Sequence, residues 1–271
     1  MKKTIVFVHG MFQTSKSWDK WVEYFTQRGY NCVAPSWPGH EGEPAELRAH
    51  PHPDLGELSL DAVVSKIEEM ISALPEKPIV IGHSVGGLIV QLLSNKAMIS
   101  LGVPISSVAP NMMMSLDWDF FKNSISITNP LKGDKIFEMT PEGFHESFAN
   151  TLSEAESKVE YEKSAVHDSR NVLRDSVLEA KVDLDLPHVP LLFISGEKDH
   201  IIPHELVEKN AKAYNKDGEG SMTTYRMFPN RSHYICGETG WQEVAEYIYG
   251  WLQQHEGESA YQSSSASGKE L

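Results

Sequence analysis

The sequence is poor in cysteine, with only Cys32 and Cys236 among 271 residues. Two thiols cannot build the framework of a disulfide-stapled scaffold, and neither stands in a metal-ligand spacing. They point to a reduced, cytoplasmic setting, with a single bridge as the alternative. Long apolar runs are also missing. No stretch approaches the roughly eighteen residues that a membrane span requires, so none is expected. The basic start Met1-Lys2-Lys3 leads into Thr4-Ile5-Val6-Phe7-Val8, which is too short for a signal peptide and runs directly into His9-Gly10. It reads as a core strand. Positive charge is scarce, with 24 Lys and Arg against 38 Asp and Glu and a formal net charge of −14. That balance argues against a nucleic-acid partner, which needs basic patches that release counterions. Acidity serves solubility first, and it leaves a cationic small molecule as the partner that charge would favour. There is no internal repeat.

What is present fits one sizeable domain with a deep core. Thr4 to Val8 is continuously apolar, the pattern of a parallel strand covered on both faces. Trp18, Trp21, Val22 and Phe25 follow at helical spacing, with Ser17 as the expected N-cap and Gly29 as the stop. Asn31 to Ala34 reads as a second strand, 35–42 as a proline- and glycine-rich loop, and 43–58 as a surface excursion without strong periodicity. Leu60 to Leu74 has helical period. An apolar strand at Pro78 to Ile81, a helix from Gly87, and a strand from Gly102 to Ala109 continue the alternation. This rhythm predicts an α/β class fold with a mostly parallel sheet and helices on both faces.

The rhythm breaks over residues 111–185, which read as helices and loops, near Pro141 to Leu152, Ser153 to Val166 and Ser169 to Leu178. So long an insertion between sheet strands predicts a helical cap, separating core segments 1–110 and 186–255. It holds fifteen Asp and Glu against eight Lys and Arg, about half of the net negative charge. Pro190 to Ser195 resumes the sheet, a helix is expected from Pro203 to about Tyr214, Thr223 to Phe228 is the last strand, and Trp241 to Leu252 the last amphipathic helix. Residues 256–271 are polar and expected to be disordered.

The chemistry-bearing stretch is Gly82-His83-Ser84-Val85-Gly86, lying between a buried strand and a helix. A serine forced into so sharp a turn has strained torsions, and glycines two positions either side remove bulk that would collide with neighbouring chain. The turn places Ser84 at a helix N-terminus, where unpaired N–H groups favour negative charge. Asp199 follows a later strand and His233 the last one, so all three candidate catalytic residues stand at the carboxyl ends of strands, where open parallel sheets bind ligands. Asp199 also reads as a helix N-cap for the segment from Ile201. His200 is the nearest rival to His233, while His9 and His83 read as hydrogen-bonding scaffold.

Serine, acid, histidine in that chain order resembles an α/β-hydrolase with a helical cap, over residues 4 to about 253. The resemblance implies a carboxylic ester or lactone hydrolase with Ser84 as nucleophile, His233 as base and Asp199 as its partner. It also implies an oxyanion hole from the backbone N–H groups of Val85 and of Met11, the residue after His9-Gly10, with no cofactor and no metal. Dehalogenases and epoxide hydrolases of this fold carry aspartate where Ser84 stands. Plant-type hydroxynitrile lyases carry lysine where Tyr234 stands. A zinc-lactonase cluster would need a further histidine after His50-Pro51-His52-Pro53-Asp54. Phe12, Met112, Met113 and Trp118 are the candidate substrate-binding side chains, with packing between cap and core as their other reading. The chain is similar to bacterial esterases that open macrolide lactones, which suggests a bulky amine-bearing ester or lactone. A slowly turning-over ligand receptor and a carbon–carbon bond hydrolase remain open on the same scaffold. The expected assembly is a monomer or homodimer.

Overall fold

The computed structural model describes residues 2–113, 136–215 and 222–266. Strands and helices alternate through β1 (Thr4–Val8), α1 (Asp19–Gln27), β2 (Asn31–Val33), α2 (Pro44–Ala49), α3 (Leu60–Ser72), β3 (Ile79–His83), α4 (Val85–Asn95) and β4 (Leu101–Ile105). An insertion follows with β5 (Ile136–Phe137), α5 (Glu154–Ser164), β6 (Asp168–Ser169) and α6 (Arg170–Leu178). The chain then returns to the sheet through β7 (Leu191–Gly196), α7 (His204–Ala213), β8 (Thr223–Phe228) and α8 (Trp241–Ala266). Six parallel strands pair in the order β2-β1-β3-β4-β7-β8. The order reverses between β1 and β3, so the loops leaving those two strands flank a crevice at the sheet's carboxyl edge.

The continuous apolar runs are explained by the two faces of the sheet. Successive side chains of a strand point to opposite sides. Ile5 and Phe7 pack with Trp18, Trp21, Phe25 and the α8 residues Val244, Ile248 and Trp251. Val6 and Val8 pack instead with Val63 and Ile67 of α3 and Leu88 and Ile89 of α4. With both faces covered by helices, the strand is apolar from Ile5 onward, and only Thr4 at its start is polar.

Several local expectations are corrected. Ser17 does not cap α1; it lies in a 3-10 turn over Ser15–Trp18, and Thr14, extended at φ −128° and ψ 177°, caps that turn by accepting the Lys16 N–H. The stop at Gly29 stands, with φ 96° and Tyr30 N–H closing onto the Phe25 carbonyl at 3.2 Å, the pattern of a left-handed helix end. Residues 43–58 are more than a surface excursion. Pro44 opens α2 at its first turn, and Leu55 and Leu58 are buried in the core, in elements too short to show a period. The insertion holds a small antiparallel pair, β5 with β6, that the sequence did not suggest. The final helix runs on to Ala266, past the point where disorder was expected. Helical hydrogen bonds are local, so the backbone can continue the helix where apolar residues run out. Among the described residues no helix is long and apolar enough to cross a membrane.

Gly86 packs so tightly that an added Cβ would lie 2.2 Å from the Val8 carbonyl oxygen, whereas one at Gly250 in α8 would meet nothing within 4 Å. Gly86→Ala is therefore expected to lose about 3 kcal/mol or more of stability. Gly250→Ala should gain about 0.5–1 kcal/mol from helix propensity. Urea denaturation of the two variants against the parent chain checks the contrast.

Candidate active site

The turn between β3 and α4 holds Ser84 at φ 57° and ψ −117°, a torsion pair that an L-residue adopts only when its surroundings impose it. The imposition is visible. A Cβ on Gly82 would fall 2.1 Å from the Gly86 carbonyl oxygen, and one on Gly10 would fall 2.7 Å from Ser84 Cβ. The serine N–H donates to the Ile105 carbonyl at 2.9 Å, pinning the turn to β4. These contacts account for glycine at each position.

Asp199, in the loop after β7, does not cap a helix as its sequence context suggested, because α7 starts only at His204 with Pro203 at its N-cap; its carboxylate instead closes the turn before that helix and faces a histidine. Its Oδ1 accepts the N–H groups of Ile201 and Ile202 at 2.9 and 2.8 Å, and its Oδ2 faces His233 Nδ1 at 2.8 Å. Burial pushes the carboxyl pKa up, but His233 and the Ile202 N–H outweigh it and hold the group below the ordinary carboxylate value. Since a carboxylate only accepts, His233 Nδ1 carries a proton towards it.

His233 is wholly buried and held from three sides. His83 Nε2–H donates to its carbonyl at 2.8 Å, Phe148 meets its ring edge-on at 4.8 Å, and the next residue, Tyr234, donates its N–H to the Phe148 carbonyl at 2.8 Å. Its Nε2 makes no hydrogen bond, so the Ser84 hydroxyl is not engaged by the imidazole in this rotamer. Catalytic hydrogen bonds of this kind commonly tighten only when substrate binds. His200, the rival, is exposed, with its Nδ1 directed to the Glu146 carbonyl rather than towards Asp199.

Ser84, Asp199 and His233 line one cavity of about 730 Å³, together with Met11, Val85 and Phe12. The described lining does not include Met112 or Met113. Met112 is 43% exposed and Met113 packs against the core. Asn111 explains the departure. Its N–H donates to the Ala180 carbonyl and its side chain pairs with the Val182 backbone, which draws the chain towards 180–182. Trp118 lies outside the described residues. The insertion instead contributes Phe137, Met139, Glu146, Phe148 and Leu173 to the wall. Phe144 and Phe148, four apart and stacked at 5.2 Å, were the available sequence signal, but a π-helical turn over Phe144–Phe148 carries them.

The chain matches the family described as alpha/beta hydrolase over residues 5–247. It belongs to the alpha/beta hydrolase family. No curated protein matches it. Similar solved structures include a monoacylglycerol lipase from Paleococcus ferrophilus, 22% identical with a TM-score of 0.69, the alignment covering 93% of this chain and 94% of that one. An extracellular alpha/beta-hydrolase from a Paenibacillus species is 18% identical over 91% of this chain and 97% of its own, with a TM-score of 0.68. Polyneuridine aldehyde esterase is 16% identical over 92% and 99%, with a TM-score of 0.65. At these identities the likeness establishes the fold.

In this alpha/beta hydrolase the flanking histidines are neutral. Burial pushes His9 and His83 down to about 3, helped by His40 in the first case and His233 in the second. Unfolded imidazoles take protons near pH 6.5, so between about pH 6.5 and 3 the unfolded state binds more protons and stability falls with acidification. The loss is on the order of 4 kcal/mol for each histidine at the acid end of that window. His40 acts oppositely: burial lowers its pKa, Asp168 outweighs this and the net shift is upward, so its contribution is complete below pH 6.5 and lost as pH rises through the folded value. The thermal midpoint is expected to fall between pH 6.5 and 4. His83→Gln, which can still donate to the His233 carbonyl, should flatten that fall, and an unchanged pH slope in the variant would assign the acid sensitivity elsewhere.

Proposed function

We propose that this chain is a serine hydrolase of carboxylic esters or lactones, with Ser84 as nucleophile, His233 as general base and Asp199 as the group that orients the imidazole. The observation that carries the reading is the 2.8 Å contact of His233 Nδ1 with Asp199 Oδ2, which leaves Nε2 free to accept a proton in the cavity that Ser84 borders. A serine hydroxyl is a poor nucleophile at neutral pH. A positioned imidazole removes its proton as the carbonyl carbon is attacked, then delivers that proton to the departing alcohol. Water repeats the sequence on the acyl-enzyme. The N–H groups of Val85 and Met11 would receive the oxyanion, each donor worth about 3 kcal/mol in the transition state. The chemistry calls for no cofactor.

The cavity wall supports a substrate with an apolar group. Phe12, Phe137, Met139, Phe148 and Leu173 offer an apolar surface for an acyl or alcohol group. A lipase and an esterase among the similar structures support ester hydrolysis in general. The narrower reading is a bulky, amine-bearing lactone such as a macrolide, favoured by the cavity's volume of about 730 Å³ and by an acidic residue, Glu146, among those that line it. Incubation with a macrolide panel should then give a mass gain of one water, and a panel left unchanged removes that narrower reading while leaving ester hydrolysis intact.

Steady multiple turnover of p-nitrophenyl butyrate is expected, with Ser84→Ala and His233→Ala each lowering kcat by about 10⁴-fold or more. A single stoichiometric burst without turnover would favour a ligand receptor over an enzyme.

A further inference from the structure

The loop after β1 is held by an ion pair reaching it from the insertion. Asp168 of β6 and His40 are both enclosed, with side-chain exposures of 0% and 1%. Asp168 Oδ2 accepts the Phe12 N–H at 2.8 Å and faces His40 Nε2 at 3.3 Å, while its Oδ1 accepts the Ser169 N–H at 2.7 Å. His40 Nδ1 lies 3.2 Å from the Pro38 carbonyl oxygen. A carbonyl and a carboxylate can only accept, so both ring nitrogens of His40 carry protons and the pair is imidazolium with carboxylate. Phe12 is gripped at its other end as well, its carbonyl accepting the Val166 N–H at 3.0 Å. Its φ of 63° is one that phenylalanine holds only under such restraint.

Stability is a poor account of this arrangement. A buried ion pair offsets its Coulomb attraction with the desolvation of both groups, and well-packed apolar residues often do as well. What the pair does achieve is to fix one particular amide. Phe12 is the residue after Met11, whose N–H is the second proposed oxyanion donor, and a donor displaced by a fraction of an ångström loses much of its effect.

We propose that Asp168, paired with His40, is a positioning residue for the oxyanion loop: it anchors the Phe12 amide so that the Met11 N–H is aimed into the cavity, and it makes that donor depend on the seating of the β5–β6 insertion. The inference rests on the hydrolase reading above and adds to it a residue from outside the triad and its two oxyanion donors. The Met11 donor, supplied by the core, is completed by a side chain from the insertion.

The test compares the parent chain with Asp168→Ala, Asp168→Asn and His40→Gln, in p-nitrophenyl butyrate kinetics and in affinity for an alkyl boronic acid that forms a tetrahedral adduct on serine. Asp168→Ala is expected to lose about 10- to 100-fold in kcat with KM within about threefold, and boronate affinity should fall in parallel. Asp168→Asn keeps an acceptor for the Phe12 N–H without the charge and should fall between the parent and alanine. His40→Gln should lose about 3- to 10-fold in kcat through the weakened anchor. If Asp168→Ala does not fold, the asparagine and glutamine variants decide alone. Folded variants with kcat and boronate affinity within twofold of the parent, or with KM raised and kcat held, overturn the inference. A parent chain that turns over no ester and whose Ser84 resists a fluorophosphonate label overturns the hydrolase reading instead, and this inference with it.

Discussion

The site hangs from one close approach, the backbone of the first turn of α4 pressed against the exit of β1. Gly86 has no room for a Cβ beneath the Val8 carbonyl, and Gly82 has none beneath Gly86 itself. With those chains in contact, Ser84 is left only the left-handed torsion at φ 57°. Such a residue stores about 1–3 kcal/mol of strain. It persists because β1, β3 and β4 are buried along their whole lengths and cannot yield. The same approach brings the N-terminus of α4 beside the loop after β1, which is why the backbones of Val85 and Met11 border one cavity although 74 positions separate them in the chain.

The insertion is laced to the core at the loops that matter for chemistry. Phe148 O accepts from Tyr234 N–H beside His233, Phe12 O accepts from Val166 N–H, and Asn150 reaches the Lys198 carbonyl one residue before Asp199. Glu238, buried and pushed up in pKa chiefly by that burial, takes hydrogen bonds from Thr151 of the insertion and from Ser232 of the histidine loop. Swinging the insertion away as a body would break all of these together. Each is worth about 1 kcal/mol, and more where a buried group is left unpaired. The insertion is built as a wall of the cavity, and the apolar residues it contributes are positioned by the same bonds that position the histidine.

Much of this was legible in the sequence because it was written in local signals. Gly82 and Gly86 bracket a serine between an apolar run and a helical one, and the strands buried on both faces are mostly apolar, with Thr4, His83 and Ser195 at or near their ends. Asp199 was readable as the partner of a histidine, with a helix cap as its lesser reading; one oxygen does face His233, while the other closes a turn two residues ahead of the helix rather than capping it. What the sequence concealed depends on contacts between distant segments. Nothing near Asp168 announces that its carboxylate meets Phe12, 156 positions away. The run Met112-Met113 looked like a pocket wall by composition, yet Asn111 turns it elsewhere through bonds to residues 180 and 182. A two-residue strand such as β5 or β6 is too short to carry any period, so the antiparallel pair had no signature at all.

The electrostatics of His83 and His233 then follow from one requirement of the proposed mechanism, that a positive charge appear on His233 and nowhere beside it. The rings of His83 and His233 lie 4.7 Å apart. Two imidazolium ions at that separation repel by about 3–4 kcal/mol at an effective dielectric constant near 20. Burial removes the proton from His83, and what remains is a neutral ring whose Nε2–H grips the His233 carbonyl. His9 is treated alike: neutral, Nδ1–H to the Gly10 carbonyl, Nε2 accepting from the Trp37 amide. A lysine in place of His83 could make the same grip, but only by setting a fixed cation against the one that catalysis must create, and a lysine in place of His9 could not accept the Trp37 amide at all. Histidine held neutral by burial is the side chain that supplies a rigid donor on an aromatic plate without that opposing charge.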